Sequence, residues 1–111
     1  MEPSLTTDIW AAAYVRRCSV EGAAAFIVRK GDARAGAVLV RVNGLDGSSS
    51  LYARARRADG QLVWMSVLGP APRPDAECEA YLVRAAARDP DLWVIEVEDK
   101  ARRHFLDAPV D

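Results

Sequence analysis

The stretch Asp89-Pro-Asp-Leu-Trp-Val-Ile-Glu-Val-Glu-Asp-Lys100 decides how the rest of the chain is read. Pro90 disfavours helical geometry in the residue before it, so a preceding helix stops at Asp89. Leu92 to Glu98 then reads as a strand with apolar residues on both faces: Leu92 and Val94 on one, Trp93, Ile95 and Val97 on the other. A strand of that kind is interior or well covered. It ends in a tight acidic cluster, which makes the same segment the first place to look for chemistry.

Upstream of Asp89, Cys78, Tyr81, Leu82 and Ala85 recur at helical spacing, predicting a helix from Pro74 or Asp75 to Arg88. Pro74 suits a first helical turn, and Asp75, Glu77 and Glu79 suit the positive end of the helix dipole. A first helix is expected from Thr7 or Asp8 to Gly22, with a stripe of Trp10, Ala13, Tyr14, Arg17 and Cys18. Four strand-like runs lie between: Ala23–Lys30, Ala37–Asn43, Leu51–Arg57 and Leu62–Leu68. Asn43-Gly44, Asp46-Gly47 and Asp59-Gly60 mark turns, and an antiparallel meander of the four is the expectation. Downstream, Arg103–Leu106 is expected to form a short sixth strand. The fold class is therefore α+β: a mainly antiparallel sheet of five to six strands with two helices packed on one side.

The 111 residues fit one domain, with residues 1–6 and 107–111 expected to fray. Fifteen basic against sixteen acidic residues give a net charge of −1, so no global field draws in nucleic acid or an anionic membrane. No window has the eighteen or so apolar residues of a membrane span, and the N-terminus does not read as a signal peptide. A cytoplasmic location follows. Cys18 and Cys78 lack metal-ligand spacing and read as reduced core residues.

In a strand Glu96 and Glu98 share a face about 6.5–7 Å apart. With Asp99, Lys100 and Asp91 they could hold a hard cation and activate water, as in metal-dependent nucleases. The plainer and favoured reading is a polar sheet face on which the glutamates oppose Arg41, Arg54 and Arg56. Arg54, Arg56 and Arg57, with Tyr52 beside the first two, could also track a phosphate backbone. Gly31-Asp-Ala-Arg-Ala-Gly36 has the glycines of a phosphate-binding loop but neither its lysine nor its following helix, and reads as a hairpin loop. The one histidine, His104, has no nucleophile at a local spacing and reads as a surface or edge residue.

Four segments together resemble a known family: Trp10-x-x-Ala13-x-x-Arg16-Arg17-Cys18, Arg29-Lys30-Gly31-Asp32-x-x-Ala35-Gly36, Leu51-Tyr52, and Asp89-Pro-Asp-Leu-Trp-Val-Ile-Glu96-x-Glu98-Asp99. It is a domain-of-unknown-function family of small alphaproteobacterial proteins, and the resemblance spans nearly the whole chain. It implies a bacterial cytoplasmic α+β protein and carries over no activity and no catalytic residues. The sequence thus favours a non-enzymatic interaction or accessory module that self-associates, as a homodimer, or binds another protein. No cofactor, nucleic acid or membrane partner is expected. The alternatives are a metal-dependent hydrolase or nuclease on the acidic cluster and, behind it, nucleic-acid binding through the arginine face.

Overall fold

In a computed structural model, which describes residues 5–111, the doubly apolar segment forms strand β6 (Trp93–Glu98) near the middle of a sheet. The elements run α1 (Thr7–Val20), β1 (Ala24–Arg29), β2 (Val38–Asn43), β3 (Ser48–Arg56), β4 (Leu62–Ser66), β5 (Arg73–Pro74), α2 (Asp75–Arg88) and β6. The strand order is β1-β6-β2-β3-β4, with the two-residue β5 paired to β3. Every pairing is antiparallel except that of β2 with β6.

The meander is therefore one strand shorter than expected: β2, β3 and β4 form it, and β6 separates β1 from β2. The loop between β1 and β2 is accordingly a crossover and not a hairpin, since it spans the start of β6. Asp32 N–H donates to the Asp91 carbonyl at 3.0 Å, and Trp93 Nε1–H donates to the Asp32 carbonyl at 2.7 Å. A Cβ on Gly31 or Gly36 would run into the Asp91 carbonyl, so the two glycines permit the crossing. The same loop anchors α1, whose Thr7 and Asp8 amides donate to the carbonyls of Arg34 and Ala33.

The helices lie on opposite faces of the sheet, a correction to their expected placement on one side. Trp10, Ala11, Tyr14 and Cys18 of α1 pack against Val38, Val40, Val42, Trp93, Ile95 and Val97. Cys78, Leu82 and Ala85 of α2 pack against Leu39, Leu51, Leu92 and Val94. Alternation places these two residue sets on opposite sides of β2 and β6. Residues Val38 to Val42 are all buried, and a strand buried on both faces needs a layer on each. Ala11, not Ala13, completes the α1 stripe.

The C-terminal stretch departs from expectation twice. Arg103–Leu106 forms no strand; Arg102 and Phe105 adopt left-handed φ values of 59° and 54°, which a ladder does not accommodate. Asp107–Asp111 does not fray. Trp64 N–H donates to the Pro109 carbonyl at 2.8 Å, and Asp111 N–H donates to the Trp64 carbonyl at 2.7 Å, giving β4 a bridge at Val110. At the other end, Leu5 and Thr6 are described, whereas the fraying expected for residues 1–4 lies outside the described residues.

Candidate functional site

The acidic cluster comes apart in three dimensions. Glu96 and Glu98 share the α2 side of β6, as alternation requires, but Asp91 lies at the other end of the strand, roughly 20 Å of extended chain away. Asp99 turns to Arg103: its carboxylate accepts from the Arg103 amide at 2.7 Å and stands 3.0 Å from the guanidinium. That pairing holds the Asp99 carboxyl below its ordinary range. Lys100 is exposed in the following turn. Among the described residues, no group of three or more histidine, cysteine, aspartate or glutamate side chains is placed to hold a metal ion.

Glu96 instead joins an ionic knot. Arg41 lies directly across from it in the β2–β6 pairing, with their charged atoms 3.6 Å apart. The same buried guanidinium meets Asp75 at 3.0 Å and Glu79 at 2.9 Å, and its Nε donates to Ser49 Oγ at 3.1 Å. Ser49 in turn donates to Asp75 at 2.7 Å. Burial pushes the Glu96 carboxyl above its ordinary value; Arg41 pulls it back and Glu98 pushes the same way as burial. The arrangement ties the first turns of α2 to β2, β3 and β6. The sequence paired Glu96 with Arg41 but missed Asp75 and Glu79, whose i,i+4 spacing on one helix face was the available signal.

The arginine face also divides. Tyr52, Arg54 and Arg56 share the α1 side of β3, opposite to the side that holds Arg41 and Glu96, so Arg54 and Arg56 do not oppose the glutamates. The Arg54 guanidinium stacks over the Trp10 ring at 5.3 Å. Tyr52 meets the His104 ring edge to face at 5.5 Å. Arg57 points elsewhere and pairs with Asp111 at 2.6 Å. His104 is half-buried: its carbonyl accepts from the Tyr14 hydroxyl at 2.6 Å, and its Nδ1 accepts from the Leu106 amide at 3.0 Å. Burial lowers its pKa, and these contacts make it a packing residue.

What the sequence reading missed is that the expected strand Ala23–Lys30, observed as β1, lies at the sheet edge. Among the described residues this strand pairs with β6 alone and its other edge is free, yet Phe26, Ile27 and Val28 are 49%, 36% and 62% exposed. On the α2 side, Val28 borders a shallow groove of about 180 Å³ that continues over Leu82, Val83, Ala86 and Val94. The signal was the unbroken run Ala23-Ala-Ala-Phe-Ile-Val28, apolar without alternation, which reads equally as a buried strand. Edge strands normally carry charge or proline where they meet solvent. Here charge begins only at Arg29, beyond a register shift between Ile27 and Arg29.

Two helices on opposite faces of a mostly antiparallel six-stranded sheet define an α+β protein. The chain belongs to the family described as "Protein of unknown function (DUF1491)", whose profile it matches over residues 5–107. It is similar to a crystal structure of a DUF1491 family protein from Caulobacter crescentus CB15, with 48% identity, a TM-score of 0.88 and coverage of 97% of this chain and 100% of that one. An NMR structure of a DUF1491 family protein from the same organism gives 47% identity, a TM-score of 0.84 and 99% coverage of both chains. The solution structure of a protein from A. tumefaciens, at 27% identity, matches with a TM-score of 0.74 over 96% of this chain and 98% of that one. These relatives come from alphaproteobacteria, as the sequence resemblance implied. No curated protein matches the chain.

Proposed function

We propose that this protein acts by binding and not by catalysis, as a small accessory module of the bacterial cytoplasm that self-associates into a homodimer through the edge of β1. The observation that carries the reading is the combination of a strand edge left free among the described residues with exposed Phe26, Ile27 and Val28. Unpaired N–H and C=O groups on such an edge are a template for another strand. A second copy of β1 fits it in antiparallel register. The two-fold axis then lies along the sheet normal, so Phe26 and the α2-side groove of one copy continue into those of the other. A net charge of −1 adds little repulsion between copies.

Three further observations support the reading. The acidic residues nearest to a catalytic arrangement are taken up in structural pairs, Glu96 with Arg41 and Asp99 with Arg103. Cys18 and Cys78 are buried free thiols on opposite faces of the sheet, consistent with a reducing compartment. Among the described residues, no helix is long and apolar enough to cross a membrane.

Sedimentation velocity on the wild type and on Phe26→Lys and Ile27→Lys variants tests the proposal. The wild type is expected to sediment as a dimer at micromolar concentration and both variants as folded monomers. A wild type that stays monomeric at every concentration would contradict self-association.

A further inference from the structure

On the α1 side of the sheet, a groove of about 700 Å³ lies between the start of α1 and the β3–β4 hairpin. Its lining combines three arginines, Arg34, Arg54 and Arg56, with Trp10, Asp107 and the apolar residues Leu5, Ala35 and Leu62. That volume lies within the range of small-molecule pockets, roughly 300–1,000 Å³.

Convergence of three arginines sets this groove apart, since Arg16, Arg17, Arg29, Arg84 and Arg88 also form no salt bridge among the described residues but do not line it. Arg41, Arg57, Arg73, Arg102 and Arg103 each pair with a carboxylate. Among the described residues, Arg34, Arg54 and Arg56 form no salt bridge, although they converge on one groove from a loop and a strand. Among the described residues, the side chain of Arg56 donates only to the Gly60 carbonyl, at 3.0 Å. Arg54 is half-buried against Trp10, and partial desolvation pushes its pKa below the ordinary arginine value. A desolvated cation without a counter-charge is unfavourable, and a bound anion relieves it.

Asp107 offsets that charge only in part, acting on Arg54 through space without a salt bridge. Its two carboxylate oxygens accept the indole N–H groups of Trp10, at 2.9 Å, and Trp64, at 3.1 Å. Burial works against this carboxylate, but the two indoles outweigh it and hold it charged. Three guanidinium charges against one carboxylate leave an excess of two positive charges in the groove. A phosphate monoester carries about −1.5 to −2 at neutral pH, which matches that excess, whereas a monocarboxylate leaves half of it unbalanced. Guanidinium forks also suit phosphate oxygens geometrically.

We infer that this groove binds a small phosphate monoester, its phosphate held by Arg34, Arg54 and Arg56 and its organic part lying against Leu5, Ala35 and Leu62. This mode uses arginine side chains. It does not depend on the backbone amides of the Gly31–Gly36 loop, where a phosphate-binding loop would place its ligand.

The test is calorimetric titration of the full chain with inorganic phosphate, with adenosine monophosphate, and with a single-stranded oligonucleotide. Tryptophan fluorescence serves as a second readout, because Trp10 lines the groove. Saturable binding of the monophosphate is expected to be weakened at least about tenfold by Arg34→Gln and by Arg54→Gln, and to be unchanged by Arg84→Gln on the exposed side of α2. Arg34 is exposed, so its variant tests the site even if replacing Arg54 disturbs the fold. Inorganic phosphate is expected to bind more weakly than the monoester, because it lacks the organic part. The inference is overturned if no anion binds by about 10 mM, or if the arginine variants bind as the wild type does. It is also overturned if affinity appears only with the oligonucleotide and grows with its length, which would make the groove part of a nucleic-acid track.

Discussion

At the scale of single residues, Arg41 makes three salt bridges, more than any other side chain among the described residues. It is buried on the α2 side, and its guanidinium faces Asp75, Glu79 and Glu96. Removing it leaves three carboxylates of like charge facing one another, with Glu96 already pushed toward its neutral form by burial and by Glu98. Arg41→Ala is therefore expected to destabilise the fold by about 2–4 kcal/mol in denaturant unfolding. Part of that loss should return at acidic pH, where Glu96 protonates first. A variant as stable as the wild type at neutral pH would show that the knot is decoration. The pairing of Glu96 with Arg41 was legible because both residues announce strands and carry opposite charge. The exclusion of Arg54 and Arg56 from it was not, since alternation within one strand says nothing about its register against another.

Among the elements, the loop of residues 31–36 decides the topology. Sequence periodicity located both helices and the five principal strands, with ends within a few residues of those observed. It could not show that β6 inserts between β1 and β2, because the glycines that permit the crossing look like those of an ordinary turn. Gly31 and Gly36 offer no room for a Cβ, as the Asp91 carbonyl sits there, whereas a Cβ on Gly60 meets open space. Gly31→Ala and Gly36→Ala are each expected to lower stability by about 3 kcal/mol through overpacking. Gly60→Ala should lose only about 1 kcal/mol, from its positive φ of 88°. Equal losses at all three positions, measured by chemical denaturation, would rule out the steric account of the crossing. The C-terminal stretch was illegible for a similar reason. Its hold on the molecule comes from backbone pairing with Trp64 and from two indole N–H groups on Asp107, long-range contacts with no local pattern.

For the molecule as a whole, acid should be the weak side. The carboxyls of Asp75, Asp99 and Asp107 are held below their ordinary value of 3.8 in the fold. Such groups contribute stability that is fully present above the unfolded value and is lost as pH falls through the lower folded values. Glu96, shifted upward, works in the opposite sense and softens the decline. Thermal midpoints are expected to hold from neutral pH down to about 5 and to drop steeply below about 4. A midpoint that stays flat to pH 2 would show that these pairings contribute little. The arginine groove lies on the α1 side of the sheet, while the exposed side of Phe26 and its adjoining groove face α2, so binding an anion and pairing at β1 are separable properties.

The proposed self-association rests on the β1 edge, and amide hydrogen exchange reads that edge without substituting any residue. If β1 pairs with a second copy, outward-facing amides within Ala24–Ile27 should become protected as protein concentration rises. The amides of β4, whose outer side is already bonded to Pro109 and Asp111, should not change. Exchange at β1 that is fast and independent of concentration would contradict self-association through this edge.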